Sequence, residues 1–173
     1  MNSENSKYLE TVYPKIFKGR YGGFSCGDGW FDIINMMCRN IQSHLDWKPE
    51  IPQIEVQQVK EKFGTLRFYY NGGDDYIQGA ASLAESLTGH LCEECGGFGK
   101  VRHGGWVRVL CDQHEAERQA RLEVAKATYT ERMMAVFARA VKMNFELTAD
   151  ADMFTLSDRD ERRADPYDVY PTW

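Results

Sequence analysis

The sequence predicts an α+β chain: two amphipathic helices and a β-hairpin, then a treble-clef-like structural zinc module that leads into a long C-terminal helix. Three observations predict it. Apolar residues recur at intervals of three and four in three separate stretches. A β-branched and aromatic run bounded by glycines lies between two of them. Three cysteines and one histidine fall at the spacing C-x2-C-x15-C-x2-H.

Residues 1–12 read as a short helical or frayed lead-in, and Pro14 breaks the stretch from Tyr13 to Phe17. The stretch 19–29 is too rich in glycine for anything but loop, and Asp28 is placed to cap a helix that begins near Trp30. Trp30, Ile33, Ile34, Met37, Cys38, Ile41 and Leu45 form one face of that helix, which Pro49 and Pro52 end. Residues 53–70 read as a β-hairpin, with Leu66, Phe68 and Tyr70 on one face and Arg67 and Tyr69 on the other. Tyr76, Ile77, Ala80, Leu83, Ala84 and Leu87 mark a second amphipathic helix, stopped by Gly89. A third helix runs over 112–143 with Leu122, Ala125, Tyr129, Met133, Val136, Ala140 and Met143 in a stripe. The chain therefore divides into an α/β part (1–90), a zinc knuckle and hairpin (91–114), the long helix (112–143) and a tail (144–173).

Composition narrows the function classes. With 43% hydrophobic residues in 173, the chain can bury a real core, which excludes disorder throughout. No run approaches the roughly 20 apolar residues of a membrane span, and the first residues lack a signal-peptide pattern. A soluble cytoplasmic protein is expected. The net charge of −5 is concentrated in 144–173, where eight acids meet three arginines while the rest of the chain balances. Phe154, Tyr167, Tyr170 and Trp173 interleave with those acids, so the tail reads either as a flexible solvated end or as a partner-binding segment.

Cys92, Cys95, Cys111 and His114 carry the strongest chemical signal. Zinc takes four sulfur or nitrogen ligands in a tetrahedron, and two residues between cysteines let a knuckle turn both sulfurs toward one ion. Fifteen intervening residues suit a hairpin that turns at 103–105, after which Cys111 and His114 project from one side of a helix start. Four protein ligands leave no vacancy for water. The ion is therefore expected to be structural, and no catalytic residue is assigned.

The residues admit three readings of function. Arg67, Tyr69, Trp106 and the acidic, aromatic tail suit a non-enzymatic adaptor or inhibitor that binds a protein partner. Lys100, Arg102, Arg108 and Trp106 on the hairpin 96–110 suit nucleic acid instead, with phosphates on the cations and a base on the indole. The pI near 5.4 weighs against that second reading. Cys26 beside a helix start could serve as a nucleophile only with a nearby base such as His44 or His90, the least favoured reading. The glycines of 19–29 leave anion binding open. The third helix, about 45 Å long at roughly 1.5 Å per residue, either covers the body or pairs with a second copy as a homodimer.

The run Val59-Lys60-Glu61-Lys62-Phe63-Gly64-Thr65-Leu66-Arg67-Phe68-Tyr69-Tyr70, followed by Cys92-Glu93-Glu94-Cys95-Gly96 and Leu110-Cys111-Asp112-Gln113-His114, resembles an uncharacterised group of small bacterial and phage-borne proteins. In that group such a hairpin precedes a zinc knuckle of four cysteines, or of three cysteines and a histidine. The likeness covers roughly Tyr13 to His114. It implies a phage or mobile-element setting, where small accessory proteins bind and block host or defence factors, and it brings no catalytic residues.

Overall fold

The computed structural model describes residues 1–19 and 21–151, with side chains as far as Met143. It has a mixed α+β architecture. Helix α1 (Ser3–Val12) starts where the Asn2 side chain accepts the Asn5 N–H, and it buries Leu9. Helix α2 (Phe31–Trp47) comes after a short 3-10 turn at Asp28–Trp30 and buries Ile34, Met37, Cys38, Ile41 and Leu45. Strands β2 (Glu55–Lys62) and β3 (Thr65–Asn71) pair antiparallel. Helix α3 (Asp75–Thr88), capped by the Asp74 carboxylate on the Ile77 N–H, packs on β3 and α2. Strands β4 (Lys100–Arg102) and β5 (Arg108–Leu110) form a second, two-stranded sheet, and α4 (Asp112–Ala151) begins directly after it.

Three expectations require correction. The glycine-rich stretch is not loop throughout: β1 (Phe24–Ser25) pairs parallel with β2 through Phe24 to Val59 and Ser25 to Lys60, so the hairpin is part of a three-stranded sheet ordered β1-β2-β3. The pairing is non-local, so no local pattern announces it. Nor does Asp28 cap α2, whose first residues have no side-chain cap. Its carboxylate accepts instead from Asn2 N at 2.8 Å and Asn5 Nδ2 at 3.0 Å, tying α1 to the loop and holding the Asp28 carboxyl below its ordinary range. The long helix also runs past its expected end, to Ala151.

The hairpin matches its expected faces. Leu66 and Phe68 are buried, Tyr69 is exposed, and a bulge between Val56 and Gln58 brings Val56 and Val59, three residues apart, to the same buried side. The free edge of β3 is closed by α3: Thr88 Oγ1 accepts the Leu66 N–H at 2.9 Å and Glu85 Oε1 accepts the Phe68 N–H at 2.8 Å. Such capping removes donors that another strand would use.

The chain divides into two compact units, Met1–Ala120 and a second beginning at Arg121. The first holds the core, in which Trp30, Ile41, Ile54, Val59, Leu66 and Ile77 are fully buried. In the second, the α4 side chains Val124, Met134, Val136, Phe137 and Val141 are exposed. Residues 152–173, which hold most of the expected tail with Phe154, Tyr167, Tyr170 and Trp173, lie outside the described residues. Among the described residues no helix is long and apolar enough to cross a membrane.

Candidate metal centre

The knuckle begins after the isolated bridge between Leu91 and Phe98. Its backbone closes on itself, with Gly96 N donating to Cys92 O at 2.8 Å and Cys92 N to Gly97 O at 2.7 Å. Gly96 has φ +73, a left-handed conformation that a side chain would strain. Cys111 lies between β5 and α4, and the first turn of α4 carries His114 round to face it, as the i to i+3 spacing requires. The four side chains converge, with one ligand atom from each of Cys92, Cys95, Cys111 and His114 all within 4.8 Å of one another.

The geometry suits one tetrahedral ion. His114 Nδ1 lies 3.5 Å from Cys92 Sγ and 3.1 Å from Cys111 Sγ. A tetrahedron with sulfur at about 2.3 Å and nitrogen at about 2.0–2.1 Å has a sulfur–nitrogen edge of roughly 3.6 Å. Burial raises the Cys92 thiol, but N–H groups of Cys111, Cys95 and Glu94 outweigh it and bring it down to about 7. At Cys95 the Gly97 N–H pulls downward, while burial and the sulfurs of Cys92 and Cys111 push the thiol up. Crowded sulfurs that repel one another when charged are what a cation between them stabilises.

A buried carboxylate braces this knuckle, and the sequence did not single it out. Glu93 is 6% exposed. Its Oε2 accepts from Arg108 Nε at 2.9 Å, its Oε1 from Gly27 N at 3.1 Å, and its carbonyl from Gly29 N at 2.9 Å. Trp30, fully buried, donates its indole N–H to Leu91 O at 3.0 Å. A Cβ on Gly29 would stand 2.3 Å from Cys92 O, and one on Gly27 would stand 2.1 Å from Glu93 O. These two glycines therefore serve close approach to the knuckle rather than an anion. The signal for Glu93 was present only as an acid between two ligands, where solvent exposure is the ordinary expectation.

The hairpin cations expected to meet phosphate are engaged inside the module. Arg108 holds both Glu93 and Glu94 Oε1, the latter at 2.8 Å. Arg102 pairs with Asp112 and donates to Leu110 O, and Lys100 lies 3.5 Å from the same Asp112 carboxylate. Trp106 is 70% exposed at the hairpin tip, where its indole N–H donates to Glu61 Oε2 at 2.7 Å. Arg67 donates to Thr65 Oγ1 and Leu66 O, and its register partner across the sheet is Lys60, which lies over the Tyr69 ring. The fold thus brings Arg67 and Tyr69 to one sheet face and sets Trp106 against the end of the same hairpin.

Cys26 is buried, and desolvation pushes its thiol up to about 12. His44, considered as its base, binds Asp74 Oδ2 at 2.9 Å and stacks on Tyr76 at 4.1 Å. Cys38 lies fully buried in the core, as its helical position implied.

The cluster and its bracing define a chain with a Cys3His group able to hold a metal ion. No protein-family model, curated protein or solved structure matches the chain.

Proposed function

We propose that this chain is a non-enzymatic binding protein in which Cys92, Cys95, Cys111 and His114 hold a structural zinc ion, and that it engages a protein partner as an adaptor or inhibitor. The convergence of four protein donors within 4.8 Å carries the reading, because a site filled by protein ligands offers no position for a reacting water. The surroundings support it. Glu93, the buried acid between two of the ligands, is committed to Arg108 and Gly27 rather than free to move a proton. The raised Cys26 thiol is a poor nucleophile near neutral pH.

The pairing of Lys100, Arg102 and Arg108 with acids of the module disfavours nucleic acid on that hairpin. Elemental analysis of the purified full chain is expected to give one zinc per chain, and X-ray absorption to give three sulfurs and one nitrogen. Absence of stoichiometric metal, or an oxygen ligand, would overturn the structural assignment.

A further inference from the structure

The tips of the two hairpins meet, and together they leave a cleft of about 400 Å³ lined by Lys60, Glu61, Lys62, Phe63, Gly105, Trp106 and Val107. Its aromatic walls are costly to keep there. Phe63 has φ +56, the one non-glycine residue with positive φ among the described residues, and it is 72% exposed. A bulky side chain in that conformation is strained, and here burial returns little of that cost. Asparagine or glycine would make the same turn without strain. Trp106 is equally exposed, and the indole bond to Glu61 holds it over the cleft instead of letting it fold away.

The charge around the cleft has one sign free. Lys60, Lys62 and Arg67 make no ion pair among the described residues, unlike the three cations of the zinc hairpin. Lys60 and Lys62 flank Phe63 and Tyr69, with Lys62 Nζ 5.4 Å from the Phe63 ring centre. The single acid of the cleft, Glu61, is held by Trp106 and by the Gly64 N–H at 2.6 Å.

We propose that this cleft receives one bulky apolar side chain of a partner protein, presented in an acidic segment whose carboxylates meet Lys60, Lys62 and Arg67. The assignment rests on the protein-binding function above and names the chemistry of the partner. Exposed Trp106 and Tyr69 with the half-buried Arg67 and a fillable pocket are the residue types that dominant protein contacts are made of. The capped amides of Leu66 and Phe68 oppose strand addition along β3, so the occupant docks through side chains. Three cations match two or three flanking carboxylates, whereas nucleic acid brings a charge with every nucleotide to a chain of net charge −5.

The test is an NMR titration of the zinc-loaded full chain with the blocked heptapeptide DEDWDED, beside DEDADED, KRKWKRK and a twelve-residue oligothymidylate. DEDWDED is expected to shift the amides of 60–64 and 105–107 with submillimolar affinity that weakens in salt. DEDADED and KRKWKRK are expected to bind at least tenfold more weakly. Trp106→Ala and Phe63→Asn should each lose at least tenfold, with metal content and the remaining spectrum unchanged. Equal binding of DEDADED, shifts confined to other residues, or no binding at millimolar peptide would overturn the proposal. Tighter binding of the oligothymidylate would reassign the surface to nucleic acid. A chain that binds no metal would instead sink the structural-zinc reading, whatever the peptides do.

Discussion

The two hairpins of the first unit are held by different forces. The β2–β3 hairpin is long, with seven register pairs, and it sets Val59, Leu66 and Phe68 into the core. Hydrophobic burial stabilises it, and Lys60, Lys62 and Arg67 on it have no acid partner among the described residues. The β4–β5 hairpin has three-residue strands and places Val109 and Leu110 in the interior. It depends on the cysteine–histidine cluster and on the Arg108–Glu93 and Arg102–Asp112 pairs. A hairpin that supplies its own core can leave its charges unpaired, whereas one with little core uses its charges internally.

Removing the proposed zinc ion should break this comparison most strongly. Structural zinc supplies about 10–16 kcal/mol in small zinc peptides, so chelation or Cys111→Ser is expected to expose the amides of 98–110 to exchange while those of Val59 and Leu66 stay protected. Hydrogen exchange with mass spectrometry checks it, and uniform loss of protection in both hairpins would contradict the division. Leu66→Ala should do the converse. Deleting that fully buried side chain costs about 2–5 kcal/mol, read in denaturant titration, with one bound metal retained in the folded state.

Glu93→Ala is next in size. It leaves the Arg108 guanidinium, 24% exposed, without its inner partner; breaking a fully buried pair costs about 3–5 kcal/mol, and the exposure of this arginine with its remaining bond to Glu94 brings the expected loss to about 1–3 kcal/mol. Competition with a zinc chelator should show weaker metal retention than in Arg102→Ala, whose acid partner Asp112 is exposed. The smallest effect sharpens the contrast. Phe63→Asn relieves the positive φ and is expected to raise stability by about 0.5–1 kcal/mol in thermal or denaturant unfolding. A loss of stability instead would mean that Phe63 earns its place by packing.

Legibility in the sequence tracked locality. The cysteine doublets, the apolar stripe of α2 and the alternating faces of β3 each repeat over a few residues, and each matches the structure. Glu93 was invisible because an acid between two cysteines carries no mark of the Arg108 and Gly27 that bury it. Strand β1 was hidden because two residues in a glycine-rich stretch become a strand only when β2 lies alongside. The same limit applied to charge. Lys100 and Arg108 looked available in sequence and are taken up by Asp112 and Glu93, while Lys62, to which the sequence assigned no role, lines the cleft with no acid partner among the described residues.

By itself, then, the sequence determined what periodicity and ligand spacing encode: the α+β class, the helical and hairpin segments, and the four side chains that gather around one point. Tertiary structure alone decided which glycines press against the knuckle, which cations find acids, and which aromatics stay in water. The physical reason is that hydrogen-bonded turns and side-chain period depend on neighbours a few residues away. Burial and charge pairing depend on distances between residues that the chain brings together only on folding.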